Sequence, residues 1–230
     1  VGEELTVSSP DLTQIDTWLF DLDHTLYPAD CPLMEMVDER MNAYIERVTG
    51  LEAAPARTLR NQYYLQHGTT LNGLIIEHGI DPNHFLADVQ DVSVDCVLPD
   101  PAMRAGLSRL PGRRLVFTNA GHRYASRVLE RLDLADLFED VFHIEAANFI
   151  PKPKPATFVA IIARHAVTPE TACFFDDLPR NLQPAAALGM TTVLVGPQAL
   201  ENRDGFVHHR ATNLPAFLAE AKIRETNHDR

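Results

Sequence analysis

Short apolar runs and amphipathic stretches alternate along most of this chain, but one long interval shows helical periodicity alone. The first apolar run, Trp18, Leu19 and Phe20, reads as a buried strand. Leu33, Met36, Val37, Met41, Tyr44, Ile45 and Val48 then recur at three- and four-residue spacings up to Gly50, which predicts a helix with a glycine stop. Further helices are expected over 53–67, carrying Leu59, Tyr63 and Tyr64, and over 71–78, before Gly79. Asp81 and Pro82 supply an N-cap and a first-turn proline for another, through Phe85, Leu86 and Val89. Between Tyr27 and Pro99 no strand is expected.

Asp100 and Pro101 repeat the capping signal for a helix that stops near Pro111 and Gly112. Strands and helices alternate from there. The strands are RRLVFT (113–118), VFHI (141–144), ACFF (172–175) and TTVLV (191–195); the helices are expected over 123–132, 155–165, 179–188 and 214–223. Short apolar runs followed by amphipathic helices imply crossover connections and a parallel sheet. The expected fold is α/β: a Rossmann-like parallel sheet core from residues 1–26 and 99–230, with a helical cap, 27–98, inserted after the first strand. Residues 1–10, polar and without period, are expected to be a loose arm.

Composition narrows the function. With 45% hydrophobic and 23% charged residues the chain is a folded globular protein. A formal net charge of -12 argues against nucleic acid or an anionic membrane as partner, since no basic surface is evident to neutralise phosphates. A small phosphorylated metabolite remains compatible if a few cations are concentrated locally. Cys31, Cys96 and Cys173 are too few and too scattered for a disulfide framework or a zinc site, and are expected to be reduced and mostly packed. No apolar run approaches the ~20 residues needed to span a bilayer and the start lacks a basic-then-apolar signal, so a cytoplasmic protein is expected. Nothing here sets the oligomeric state.

The first strand breaks abruptly into two carboxylates, Asp21 and Asp23, with Thr25 beyond them. If the backbone stays extended, residues two apart project to the same side. Both carboxylates would then be ionised at neutral pH and repel, unless a shared proton or a divalent cation offsets the repulsion. Oxygen-only ligands favour a hard ion such as Mg2+. A plain strand end followed by an Asx turn is the alternative. Three more strands end in, or run towards, groups able to handle a phosphate: Thr118 and Asn119, then Lys152 and Lys154 in IPKPKPATF, then Asp176, Asp177 and Asn181 in FFDDLPRNL. Singly, each is explained by loops and caps.

In this order, DxDxT, a strand ending in TN, KPxPxxF and DD with Asn four residues on, residues 16–196 resemble the haloacid dehalogenase superfamily of hydrolases. The resemblance implies that Asp21 is a nucleophile that accepts a phosphoryl group and that Asp23 is the acid and base. It implies that Asp21, the Asp23 carbonyl and Asp177 hold magnesium, with Asp176 in or beside that shell. Thr118 and Asn119 match the phosphate-binding position, Lys152 the lysine of the motif, and Asn181 and Thr25 stand behind these groups. The dehalogenase branch places no acid two residues after its nucleophile, so Asp23 points to a phosphatase. FDLDHTLYP, HGTTLNGL and EHGIDPNHFL are similar to the pyrimidine 5'-nucleotidase-like branch, which implies a nucleoside 5'-monophosphate substrate. Ala120, Gly121 and His122 depart from that branch, which has an acidic residue nearby.

Within the cap, Tyr63, His67, Thr69, Thr70 and Asn72 are candidates to meet a base or sugar. Against this, Tyr63 and Tyr64 sit at helical spacing from Leu59 as core residues do, and Thr69 and Thr70 also suit an N-cap. His24 is expected to point away from the two acids as a packing or orienting residue. His208 and His209 are expected at the surface. A sugar-phosphate phosphatase or a phosphotransferase would use the same core, and a non-catalytic binding module is the alternative of another class.

Overall fold

The computed structural model describes residues 9–225. Of the arm expected over residues 1–10, all but Ser9 and Pro10 lie outside the described residues. Pro10 is tied down, its carbonyl accepting from the Lys222 amide at 2.9 Å.

The strands β1 (Thr17–Phe20), β2 (Arg113–Phe117), β3 (Asp140–Phe142), β4 (Ala172–Asp176), β5 (Thr191–Val195) and β6 (His209–Ala211) form one parallel sheet in the order β3-β2-β1-β4-β5-β6. The chain leaves β1, builds outward through β2 and β3, then returns to lay β4 on the other side of β1. Strand order reverses at β1 and β4, so their carboxyl ends open onto a crevice that the crossovers leave uncovered. Every residue of β1 is buried. Trp18 and Phe20 pack on one face of the sheet and Leu19 on the other. Each such side chain contributes about 1.5–3 kcal/mol on burial, which favours the central place for the most apolar strand end. Phe20 stacks on Phe175 with ring centroids 4.5 Å apart, and Trp18 Nε1 donates to the Pro111 carbonyl at 2.6 Å.

Between β1 and β2 lie helices α1 (Leu33–Thr49), α2 (Ala53–His67), α3 (Thr70–His78), α4 (Pro82–Val89) and α5 (Pro101–Ser108). Then come α6 (His122–Arg131), α7 (Pro155–His165), α8 (Pro179–Ala187) and α9 (Leu214–Glu220). Helices α7 and α8 cover the Leu19 face; α5, α6 and α9 cover the Trp18 face. Val37, Tyr44, Leu74 and Phe85 from α1, α3 and α4 belong to the same hydrophobic cluster as the Trp18 face. The local signals act as expected: Asp81 Oδ1 accepts from the Asn83 amide at 2.9 Å, Asp100 Oδ1 from Ala102 at 2.8 Å, and Gly50 stops α1 at φ 71°.

Three expectations need correction. Strand β6 was not anticipated, because three residues with two of them polar carry no readable apolar run. β3 begins and ends earlier than VFHI, since beyond Phe142 the Ile144 amide turns to the Ala120 carbonyl at 3.0 Å. α9 ends at Glu220 rather than 223, because Lys222 pairs its amide with Pro10 and its carbonyl with Leu12. Among the described residues no helix is long and apolar enough to cross a membrane.

Candidate active site

Strand β1 hands over to the site at Asp21, whose amide still donates to the Phe175 carbonyl at 2.8 Å. Immediately afterwards the chain turns. The Leu26 amide returns to the Leu22 carbonyl at 3.0 Å, and His24 takes φ 60°. The two acids therefore do not lie along an extended strand: Asp21 ends the strand and Asp23 comes from the turn. The turn also corrects the expectation for His24. Its ring lines the same cavity as both acids, with Nδ1 3.8 Å from Asp177 Oδ2.

Lys152 is 1% exposed and holds this arrangement together. Its ammonium lies 2.7 Å from Asp176 Oδ2, 2.9 Å from Asp21 Oδ1 and 2.7 Å from the Phe117 carbonyl, to which it donates. The Phe117 and Phe174 rings flank it at 5.0 and 5.1 Å. Burial opposes this charge, yet Asp176 and Asp21 together raise the pKa of Lys152 above the ordinary lysine value. Asn119 fixes the loop from below: its Oδ1 accepts from the Lys152 amide at 2.8 Å and its Nδ2 donates to the Lys152 carbonyl at 3.1 Å. Thr118 Oγ1 accepts from the Ala120 amide at 3.0 Å, and both residues line the cavity.

Asp176 is fully buried and fully occupied, accepting from Lys152, the Leu178 amide and Asn181 Nδ2. Asp177 is half-buried and faces the cavity. Asp21, Asp176 and Asp177 each bring a carboxylate oxygen within 4.8 Å of the others, a set that could hold a metal ion. Among the described residues, Asn181 Oδ1, buried at the cavity wall, and the buried Thr25 Oγ1 have no hydrogen-bond partner. An all-oxygen set with an unpaired carbonyl at its edge fits a hard, hydrated divalent cation. Burial, assisted by the neighbouring acids, pushes the carboxyls of Asp21 and Asp176 up, while Lys152 pulls them back.

Asp23 has a different setting. The Tyr27 and Tyr124 hydroxyls both donate to its Oδ1, at 2.6 and 2.8 Å. Burial raises this carboxyl and the two phenols oppose the rise. Sequence reasoning assigned no role to either tyrosine. Tyr27 lies four residues beyond Asp23, a readable spacing; Tyr124, on α6 and 101 residues away, left no signal.

These groups meet in a cavity of about 400 Å3 whose far wall comes from the helices after β1. Asp38, Arg60, Asn61, Tyr64, Thr69 and Thr70 line it. Tyr63 and His67, candidates for substrate contact, do not. Tyr63 is 7% exposed, donates to or accepts from His78 Nε2 at 2.8 Å, and presses on Gly73, where an added Cβ would come within 2.4 Å of its ring. His67 lies beside Tyr63 with Nε2 3.7 Å from Glu77. One residue on, about 100° around the helix, Tyr64 reaches the cavity with the Arg180 guanidinium 3.9 Å over its ring. Thr69 lines the cavity and also caps α3, accepting from the Asn72 amide at 3.1 Å. Asn72 Nδ2 is spent on the His67 carbonyl at 2.9 Å. His208 is exposed, as expected, but its Nδ1 accepts from the Thr192 amide at 3.0 Å, and His209 is half-buried in β6.

A parallel sheet that gathers carboxylates and a buried lysine at the carboxyl ends of its central strands, under a wall of helices, defines an α/β protein with a candidate site at its strand-order switch. The model of the haloacid dehalogenase-like hydrolase family matches residues 15–189, and the chain belongs to that family. It is 27% identical over 194 residues to Phosphate metabolism protein 8 of Saccharomyces cerevisiae, covering 77% of this chain and 60% of that one. To enolase-phosphatase E1 of Frankia alni it is 37% identical over 91 residues, 40% of this chain and 35% of the relative. It therefore spans less than two thirds of either protein. Among solved structures, the L-2-haloacid dehalogenase of Xanthobacter autotrophicus superposes with a TM-score of 0.56 at 15% identity, covering 89% of this chain and 97% of that one. At that identity the likeness is one of fold.

Proposed function

We propose that this protein is a magnesium-dependent phosphomonoester hydrolase that works through an aspartyl-phosphate, with residues 27–98 as a cap over the site. The observation that carries the proposal is the unequal setting of two acids on one cavity: Asp21 beside Lys152 and the metal-competent carboxylates, and Asp23 held by two phenols. Magnesium on Asp21, Asp177, the Asp23 carbonyl and the neighbouring Asp176 would neutralise charge between an anionic nucleophile and an anionic ester. A carboxylate oxygen of Asp21 attacks phosphorus while the bond to the alcohol oxygen breaks. Asp23 gives that oxygen its proton. Asp23 then takes a proton from water, the water oxygen attacks phosphorus, and the bond to Asp21 breaks to release phosphate. Burial that raises Asp23 suits a group that must begin protonated. Thr118, Asn119 and Lys152, which line the same cavity as Asp21, would bind the phosphoryl oxygens. Displacing a halide needs no proton donor for the leaving group, so Asp23 favours a phosphate ester over a haloacid.

For the substrate we take a pyrimidine nucleoside 5'-monophosphate, on the motif resemblance after the first strand and in the cap. The cavity volume falls within the usual range for small-molecule sites, and the Tyr64 ring with Asn61, Thr69 and Thr70 offers a stacking face and polar groups. A hydrolysis panel of uridine and cytidine monophosphates against purine nucleotides and sugar phosphates tests it. Highest kcat/KM on the pyrimidine nucleotides is expected; highest kcat/KM on sugar phosphates would replace the substrate and keep the chemistry.

Magnesium should also be visible without turnover. In the metal-free protein the raised carboxyls of Asp21 and Asp176 hold protons that the unfolded chain releases, so their contribution to stability falls as pH rises above the ordinary carboxylate range. Added Mg2+ competes for the same oxygens and should raise Tm at neutral pH, by about 2.7 kcal/mol of stability at 100 times Kd. The gain should shrink as pH falls, because the ion must then displace protons from those carboxyls. Asp177→Asn should remove most of it; an equal gain in that variant would place the ion elsewhere.

A further inference from the structure

Cys31 and Cys96 are 65 residues apart in the chain, yet their sulfurs lie 3.6 Å from each other. Cys31 sits in the connection from β1 into α1, in a turn closed by its own amide to the Pro28 carbonyl at 3.1 Å. Cys96 sits in the connection from α4 to α5, in a turn closed by the Val97 amide to the Val94 carbonyl at 3.0 Å. These two connections are where the chain enters and leaves the helices that wall the cavity. Both cysteines are half-buried and unbridged, whereas Cys173 is fully buried in β4.

We infer that Cys31 and Cys96 are a reversible disulfide site that clips the two connections together. A disulfide needs its sulfurs about 2.05 Å apart, a closure of roughly 1.5 Å between two turns at the surface. A small-molecule disulfide such as oxidised glutathione supplies the oxidation. One cysteine thiolate attacks a glutathione sulfur and expels one glutathione thiolate. The second cysteine thiolate then attacks the protein sulfur of the mixed disulfide and expels the other, and the two cysteine protons end on the two glutathione thiols. Burial, together with the Cys31 contact, raises the Cys96 thiol, so exchange is favoured above neutral pH.

The clip bears on the site because the connection that holds Cys31 also holds Asp23 and Tyr27, which donates to Asp23. If the helices swing about these connections to admit substrate, joining them restrains that movement. This consequence rests on the phosphatase reading given above; the bridge itself does not.

The test starts from fully reduced protein incubated with excess glutathione disulfide at about pH 8. The expected product is lighter by about 2 Da and keeps one titratable thiol, that of Cys173, after unfolding. Trypsin should release the fragment ending at Arg40 joined to the fragment ending at Arg104. Tm should rise by about 5–10 °C, and turnover should fall about 3-fold or more and recover with dithiothreitol. Cys31→Ser and Cys96→Ser should match the reduced protein in rate and melting and show neither oxidation effect. Stable glutathione adducts on both cysteines or a bridge through Cys173 would overturn the inference, and a bridged protein with unchanged turnover would overturn the restraint on the helices. If the reduced protein hydrolyses no phosphomonoester, the phosphatase reading fails while mass and melting still decide the bridge.

Discussion

Replacing Asp21 with Asn is expected to lower phosphomonoester turnover by about 1,000-fold or more, while Tm moves by no more than a few degrees. The two halves of this result have separate physical causes. The amide keeps the shape of the carboxylate but is a poor nucleophile and cannot carry the phosphoryl group, so the covalent path is closed. Stability behaves differently, because burial already disfavours the charged form of Asp21. Removing that charge relieves repulsion with Asp176, Asp177 and Asp23, which offsets the loss of the 2.9 Å contact with Lys152. Lys152 also keeps its 2.7 Å partner, Asp176. Steady-state assay with a chromogenic phosphate ester, paired with thermal melting, reads both quantities. Near-normal turnover in a folded variant would remove Asp21 from the reaction.

Lys152→Met should cost stability as well as turnover, because here the charge is what holds the fold. With the ammonium gone, Asp21 and Asp176 lose their common counter-ion at a site where Lys152 is 1% exposed. Breaking a buried ion pair from one side typically costs about 3–5 kcal/mol, and a loss of that size is expected in urea unfolding with the m-value unchanged. Activity should fall with it, by about 100-fold or more. The control is Lys152→Met combined with Asp176→Asn, which removes one of the two carboxylates left without a counter-ion. The double variant should lose less stability than the sum of the two singles. Strict additivity would show that the two groups do not interact as their 2.7 Å separation requires.

Several parts of the molecule were legible in the sequence because their causes are local. Asp81 and Asp100 cap the helices they precede through amides two residues away. The apolar runs of β1, β2, β4 and β5 mark buried strands, and the alternation with helices implies parallel crossovers. The polar groups that follow these runs then had to collect at one edge of the sheet: Asp21, Thr118 and Asp177 line one cavity, and Asp176 lies beside Asp21 and Asp177.

What the sequence alone could not determine depends on contacts between distant segments. Tyr63 and Tyr64 are neighbours of the same type, and nothing within α2 says which one faces the cavity. Gly73 decides it, by leaving the notch on α3 that receives the Tyr63 ring and so turns Tyr64 to the cavity. His24 faces the acids because the chain turns after Asp21, and Tyr124 reaches Asp23 across 101 residues. Cys31 and Cys96, read as scattered, touch because the chain returns from the helices beside the point where it entered them. By itself the sequence determined the strand ends, the caps and the kinds of group available for chemistry, since hydrophobic periodicity and capping act over a few residues. The tertiary structure decided which of those groups face each other, because that follows from how separate faces fit together in space.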